Sequence, residues 1–381
     1  MELPAGYDDL ILRCKEFSDQ LYSQAVAAGG EKYAEMLLLS YRQIMAAHKL
    51  AVDSNGELIY ISKECDSNGC AATVDVTYPS APFFLLYNPE LLKAMLRPII
   101  RFARSDDWPF DFAPHDAGRY PLINGQFYHY DPKKGHPLEW QMPLEECGNM
   151  IILIAALCEQ TGDYSFATEN IDLLEEWKNY LVKYGDDPED QLCTDDFAGR
   201  LAHNCNLSIK AIMGIAGYAK LLSAFGRKDE ASAAMKRAKE CADSFLSRAK
   251  NSDGSYALTY DMPETFSLKY NAIWDKLWNT ELFPEYFYIN ELARYKEEMN
   301  YYGVPLDCRE KYTKSDWTLW VACMADNRED FEFFIDPMWN AYNTMRTRAP
   351  MTDFYFTDTS EMRKFKHRSV QGGLFLKLLM K

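Results

Sequence analysis

Two pairs of neighbouring carboxylates, Glu145 with Glu146 and Asp195 with Asp196, are the residues of this 381-residue chain best suited to acid–base chemistry. Glu145 and Glu146 open an apolar helix in MPLEECGNMIILIAALC. The positive end of a helix stabilises an ionised carboxylate by about 0.3–1 kcal/mol. That favours a base, a nucleophile or a ligand for a cationic group. It disfavours a general acid, whose pKa must be raised. Successive helical residues diverge by about 100°, so one of the two is expected to face a pocket. Asp195 and Asp196 follow Thr194 in a loop just before Phe197-Ala198-Gly199. Adjacent carboxyls resist double ionisation, which raises one pKa and produces a general acid. The plainer roles are a helix-end charge with a salt bridge for the glutamates and a helix cap for the aspartates.

Other candidates surround these. Asp75, in TVDVTYPS, is a charge in an apolar stretch, suited to a structural or a catalytic role. In PHDAGRYP, Asp116 can orient His115, and Arg119 can hold a substrate carboxylate. Lys314, an alternative carboxylate binder, precedes Ser315, Asp316 and Trp317, with Thr313 or Ser315 as a helix cap. Trp108, Trp140, Trp274 and Trp317 could form a sugar platform or simply pack a rim. Asp275 and Lys276 are expected to pair, and Asp353 and Thr357 to Thr359 to cover a mouth. No H-x-H, H-E-x-x-H or C-x-x-C spacing occurs, so neither a metal site nor a cofactor is expected. Cys65 and Cys70 bracket CDSNGC and could bridge under oxidising conditions.

What must position these groups is a recurring pattern: a short polar motif followed by a helix that is apolar nearly all round. Copies begin at Thr73, Met142, Thr194, Thr265, Tyr312 and Lys366. A helix apolar on every side must be buried. The spacing predicts such inner helices over 143–160, 207–225, 266–278, 315–326 and 368–380. Amphipathic helices are predicted over 165–184, 228–250, 284–301 and 328–346. In 228–250, Ala231, Ala234, Met235, Ala238, Cys241, Ala242 and Phe245 follow the i, i+3, i+4, i+7 rule. Helices over 7–28 and 31–51, a short strand over 56–62 and a helix over 89–104 come first. Short loops make consecutive helices antiparallel neighbours, so every inner helix points the same way and the polar motifs share one end. The predicted fold is all-α, an (α/α)6 toroid in one domain over 1–381, with one short strand pair in its loops. The segment 105–142 is a long loop over the mouth, too aromatic for disorder. Uneven spacing of the copies disfavours a solenoid.

A net charge of −16 with no basic stripe argues against nucleic acid and anionic membrane as partners. No apolar run is expected to reach the roughly 18 residues of a membrane span. The start, MELPAGYDDLILR, carries no signal-peptide pattern.

APHDAGRYP, MPLEECGNM, QLCTDDFAG, LAHNCNLSIKAI, YGVPLDCR, YTKSDWTLW, DFYFTDT, TVDVTYPSAPFFLLYNPELL and FKHRSVQGG occur in an order that resembles the helical region of the fungal-type glutaminase (glutaminase A) family. The resemblance runs from about residue 31 to the C-terminus. It implies a six-hairpin helical domain and hydrolysis of the glutamine side-chain amide to glutamate and ammonia. It also implies a secreted or periplasmic protein with a β-rich region ahead of the helical one. That region is missing from this chain, which is therefore expected to be a trimmed protein or a short relative. The resemblance assigns no catalytic residues.

The expected function is a carboxylate-dependent, glutaminase-like amidohydrolase with a small-molecule substrate. In it Asp195 or Asp196 is the acid, Glu145 or Glu146 activates water or binds the amino group, and Arg119 or Lys314 binds the carboxylate. The alternatives are a six-hairpin glycoside hydrolase acting on a saccharide, since paired carboxylates also cleave glycosidic bonds, and a non-catalytic helical domain.

Overall fold

The computed structural model describes residues 6–380. The N-terminal helices are α1 (Tyr7–Gly29) and α2 (Glu31–Ala46), followed by the antiparallel hairpin β1 (His48–Val52) and β2 (Leu58–Ser62). Strand β3 (Cys70–Ala71) leads into α3 (Val74–Tyr87) and α4 (Pro89–Ala103); β4 (Gly118–Arg119) pairs back onto β3. Then come α5 (Pro143–Thr161), α6 (Ser165–Glu169), α7 (Ile171–Tyr184), α8 (Cys205–Ala224), α9 (Lys228–Arg248), α10 (Ile273–Trp278) and α11 (Glu285–Glu297). Strand β5 (Tyr312–Lys314) precedes α12 (Ser315–Ala322) and α13 (Arg328–Thr344). It forms a sheet in the order β5-β6-β7 with β6 (Phe354–Phe356) and β7 (Met362–Lys364). A 3-10 segment, Ser369–Phe375, runs into the last helix, α14 (Leu376–Leu379).

The predicted toroid is present. Helix α3 packs on α5, α5 on α8, and α8 on the 3-10 turn Tyr270–Ala272 that leads into α10. That turn packs on α12, α12 on Ser369–Phe375, and Ser369–Phe375 back on α3, closing the ring. Outside it, α4 covers α3, α7 covers α5, α9 covers α8 and α13 covers α12. Helix α11 is tied on by Tyr288, whose hydroxyl donates to Asp275 at 2.8 Å, and by Tyr295, which accepts from the Lys269 amide at 2.8 Å. Helix α2 lies on Ser369–Phe375 and α13, so the two ends of the chain complete one hairpin. The inner helices are buried along almost their whole length because their apolar residues leave no face for water.

The structure amends several expectations. The helix predicted over 31–51 stops at Ala46, and His48–Val52 becomes a strand. Its residues tolerate either state, but pairing with Leu58–Ser62 and stacking of buried His48 on Tyr60, 4.5 Å between centroids, decide for the strand. The inner element over 368–380 is mostly 3-10, and Gly372 within it lies against the α3 backbone. Cys205–Ala224 is long and apolar enough for a membrane span by composition, with mean hydropathy 1.2, contrary to the expectation that no run reaches that length. In the ring 83% of that stretch is buried. Cys65 and Cys70 are free thiols.

Gly372 gives the sharpest packing test. A Cβ there would stand 2.4 Å from the Ser80 carbonyl oxygen and 2.8 Å from Ser80 Cα. Backbone cannot swing aside as a side chain can, so Gly372→Ala is expected to destabilise the chain by about 1–3 kcal/mol or more. Urea denaturation with an unchanged m-value checks this.

Candidate functional site

Hydrogen bonds and ion pairs link neighbouring inner elements, most of them through their N-terminal halves, which places those ends together. Lys210 of α8 reaches Glu145 of α5 at 2.9 Å. Tyr270 donates to Asp195 at 2.7 Å, and Asn271 donates to Asn206 at 3.1 Å. Ser80 of α3 donates to Ser369 at 2.8 Å. At this end lies a cavity of about 350 Å³, whose wall includes Glu64, Asp75, His115, Tyr128, Asp196 and Arg368.

His115 is fixed from several directions. Its carbonyl accepts from the Val74 amide at 2.8 Å, its amide donates to Gln126 at 2.7 Å, and its ring stacks on Tyr128 at 4.0 Å. Nδ1 lies 2.9 Å from Asp116 Oδ2 and Nε2 lies 3.6 Å from Asp75 Oδ1. Burial alone would lower the imidazole pKa, but the hydrogen bonds to Asp116 and Cys70 and the charge of Asp75 reverse this and raise it well above 6.5. Asp116 is itself saturated: the amides of Gly118, Phe127 and Tyr128 donate to it at 2.9, 2.8 and 3.1 Å.

Asp196 lines the cavity, with the Cys193 amide at 3.4 Å from Oδ2. Burial, reinforced by Asp75 and Glu145, lifts its pKa to about 6. Asp195 turns inward to Tyr270 and Asn206, and burial lifts it to about 7 despite the Tyr270 hydrogen bond. Its Oδ1 has no hydrogen-bond partner.

A carboxyl whose folded pKa exceeds its unfolded value stabilises the fold below the unfolded value and loses that contribution as pH rises through the folded one. For Asp195 the window runs from about 3.8 to about 7. The wild-type chain is therefore expected to lose stability from pH 5 to 8, by about a few kcal/mol. Asp195→Asn should flatten that slope, and denaturant midpoints at pH 5 and pH 8 read the difference.

The glutamate pair does not reach the cavity wall. Glu145 is committed to Lys210 and accepts from the Thr194 amide at 3.4 Å. Lys210 also donates to Asn149 and sits 3.4 Å above the Tyr78 ring, and its burial lowers its pKa. Glu146 accepts from Asn149 at 3.0 Å, and burial, followed by Asp75, raises its pKa well above 4.5. The helix-end field expected to keep it ionised is weaker than the desolvation of a fully buried carboxyl. Both side chains are buried, so the expectation that one of the two turns into the pocket is replaced by a polar layer beneath it.

The two expected carboxylate binders lie elsewhere. Arg119 is exposed, stacks on Phe127 and lines a different surface depression. Lys314 is buried between Asp316, at 3.0 Å, and Asp353, at 2.7 Å, while Arg368 holds Asp353 at 2.5 Å. Burial opposes ionisation of Asp353, yet Arg368 and Lys314 bring its pKa down to about 2. Burial wins at Asp316, which is raised. The cations that do line the cavity are Arg363, Lys364 and Arg368. Trp317 stacks on Tyr270 at 3.8 Å, with its indole nitrogen buried and unpaired. Asp275 bonds Thr280 and Tyr288, and Lys276 pairs with Asp326, so those two do not pair with each other.

Sequence reasoning missed Glu64, Tyr128 and Arg363. Each comes from a loop or edge strand with no motif to mark it. Lys210 did carry a signal, as one of only two charges, with Lys220, inside an otherwise apolar helix. Of the three histidines in 105–142, only His115 lines the cavity. His129 stacks on Trp140, and His136 sits edge-on to Trp108. One trio of possible metal donors faces the cavity, Glu64, Asp75 and His115, with ligand atoms within 4.8 Å of one another.

Residues 30–378 match the family model described as the glutaminase A six helical-hairpin domain. The chain belongs to this family. Glutaminase A of Aspergillus oryzae is 34% identical over 374 residues, covering 96% of this chain and 53% of that protein. A probable glutaminase of Arthroderma benhamiae is 27% identical, covering 94% and 51%. The chain thus spans about half the length of these curated relatives. An uncharacterized conserved protein from Thermus thermophilus shares the fold, with a TM-score of 0.51 at 11% identity over 80% of this chain and 91% of that one. For the glutaminase A family, the match covers every element of the closed ring.

Proposed function

We propose that this glutaminase A six-hairpin domain is an amidohydrolase, converting L-glutamine to L-glutamate and ammonia in the cavity at the N-terminal ends of its inner helices. The observation that carries the reading is Asp196, a carboxyl with pKa about 6 facing a cavity of about 350 Å³. That volume falls in the range of small-molecule sites, about 300–1,000 Å³. A general acid works best when its pKa lies near the working pH. Amide hydrolysis needs one, because the departing nitrogen must gain a proton to leave as ammonia. Asp196 supplies that proton as water adds to the amide carbon and the C–N bond breaks, and the proton released by the water restores the acid. Arg363 and Lys364, on the β7 side of the cavity, supply positive charge for the substrate carboxylate. Asp195, Tyr270 and the Lys210–Glu145 pair hold the floor on which Asp196 rests. The names of the two curated relatives support the substrate class.

The test is ammonia release from L-glutamine by the chain as it stands, beside hydrolysis of aryl glycosides. Activity on glutamine that is lost in Asp196→Asn supports the reading. Activity confined to the glycosides would replace it with a glycosidase on the same scaffold.

A further inference from the structure

The cavity wall carries three potential donors from three separate segments. Glu64 follows β2, Asp75 lies in the first turn of α3, and His115 comes from the long loop before α5. The backbone brings them together: the Glu64 amide donates to the Cys70 carbonyl at 3.1 Å, and the Val74 amide to the His115 carbonyl at 2.8 Å. No spacing motif can record such an arrangement.

No lysine or arginine among the described residues is paired with either carboxylate, and the imidazole is held from behind. Asp116 Oδ1 accepts two amides, and its Oδ2 accepts the Tyr128 amide and faces His115 Nδ1. A carboxylate so saturated can only receive the Nδ1 proton, so when a metal displaces the other ring proton, Nε2 becomes the donor face. A carboxylate behind a histidine in this way fixes the tautomer and orientation of metal-binding imidazoles. Nε2 points at Asp75 from 3.6 Å, too far for a hydrogen bond. Glu64 is 3% exposed, and its carboxylate forms no ion pair with any described residue; its one hydrogen-bonding neighbour among them is the Ser67 hydroxyl. Arg368 gives Nε and Nη2 to Asp353, at 3.2 and 2.5 Å, and acts on Glu64 only through its charge.

The gap between the donors has the size of an ion. Their ligand atoms lie within 4.8 Å of one another. Oxygen and nitrogen donors about 2.0–2.1 Å from a tetrahedral ion stand roughly 3.4 Å apart, so small side-chain rotations close the set. The second trio, Cys70, His115 and Asp116, is disqualified by the saturation of Asp116. Imidazole suits zinc and its neighbours, and carboxylates extend the choice to manganese. All three donors line the cavity, so the remaining coordination position faces solvent or substrate, as in catalytic rather than structural sites.

We propose that Glu64, Asp75 and His115 bind one divalent transition-metal ion, Zn²⁺ or Mn²⁺, with Asp116 positioning the imidazole from behind. This departs from the expectation that the chain holds no metal. It does not rest on the glutaminase reading, because it concerns binding alone.

The experiment is calorimetric titration of the EDTA-stripped, dialysed full chain with ZnCl₂ and, separately, MnCl₂ at pH 7. Cobalt absorption provides a second readout of imidazole ligation. One equivalent of at least one of the two ions is expected. Affinity should fall at least tenfold in Glu64→Gln, in Asp75→Asn and in His115→Gln, and about 10–100-fold in Asp116→Asn. His203 and Asp187 form an exposed pair 2.7 Å apart that could take up zinc adventitiously. His203→Gln should leave the stoichiometry and affinity of the proposed site unchanged. Glu64→Gln keeps the test decisive if the histidine variant does not fold, since the amide keeps the size of the side chain and an oxygen to accept from Ser67, and no ion pair is lost with the charge. No binding of either ion tighter than the millimolar range would overturn the proposal. So would a one-equivalent site that survives Glu64→Gln and Asp75→Asn, or disappears in His203→Gln.

Discussion

Lys314→Met is expected to destabilise the fold by about 3–5 kcal/mol, the usual consequence of removing one partner from a buried ion pair. Lys314 stands 3.0 Å from Asp316 and 2.7 Å from Asp353, and all three side chains are at most 3% exposed. With Arg368 they form a balanced group of two cations and two carboxylates. Without Lys314, Arg368 still serves Asp353, but Asp316 is left buried beside another carboxylate. The loss should appear in the urea midpoint at constant m-value and should shrink below the raised pKa of Asp316, where that group is neutral. Lys314→Met combined with Asp316→Leu should recover part of the stability, because it removes a whole pair and leaves Arg368 with Asp353. A single variant as stable as wild type at neutral pH would show that water, not Lys314, compensates Asp316.

Asp196→Asn is expected to lower kcat for glutamine hydrolysis by about 10²–10⁴-fold, with KM little changed, because the amide retains size and polarity but cannot deliver the proton. The pKa of about 6 sets the pH behaviour of the wild type. The acid form, and with it kcat/KM, should decline as pH rises through about 6. The same raised pKa means that Asp196 contributes stability below about 3.8 and loses it through about 6. The variant should therefore be at least as stable as wild type at pH 8, which separates loss of chemistry from loss of fold. Stopped ammonia assays from pH 5 to 8, with thermal melts alongside, read both. Unchanged turnover in Asp196→Asn would move the proton donor elsewhere.

The closed ring was legible because burial on all sides leaves a strong mark in composition. Ile151–Cys158 and the run after Cys205 have no polar face, and 228–250 has a regular one. Element ends were less legible. His48–Val52 continues a helical run in sequence and becomes a strand through a partner ten residues away. The carboxylate pairs were found, but their roles were not. Asp196 and Asp195 differ by one position, yet one faces the cavity and the other faces Tyr270.

From sequence alone came the fold class, the shared end of the polar motifs and most of the ionisable groups there. Periodicity is a local property, and each inner helix carries it independently. Only the tertiary structure decided which groups face open space and which are paired beneath it. Arg119 fell outside, Lys314 was enclosed, and Glu64 entered from a loop without a motif. A charged group's state depends on what stands within a few ångströms, and in a ring those neighbours come from segments far apart in the chain.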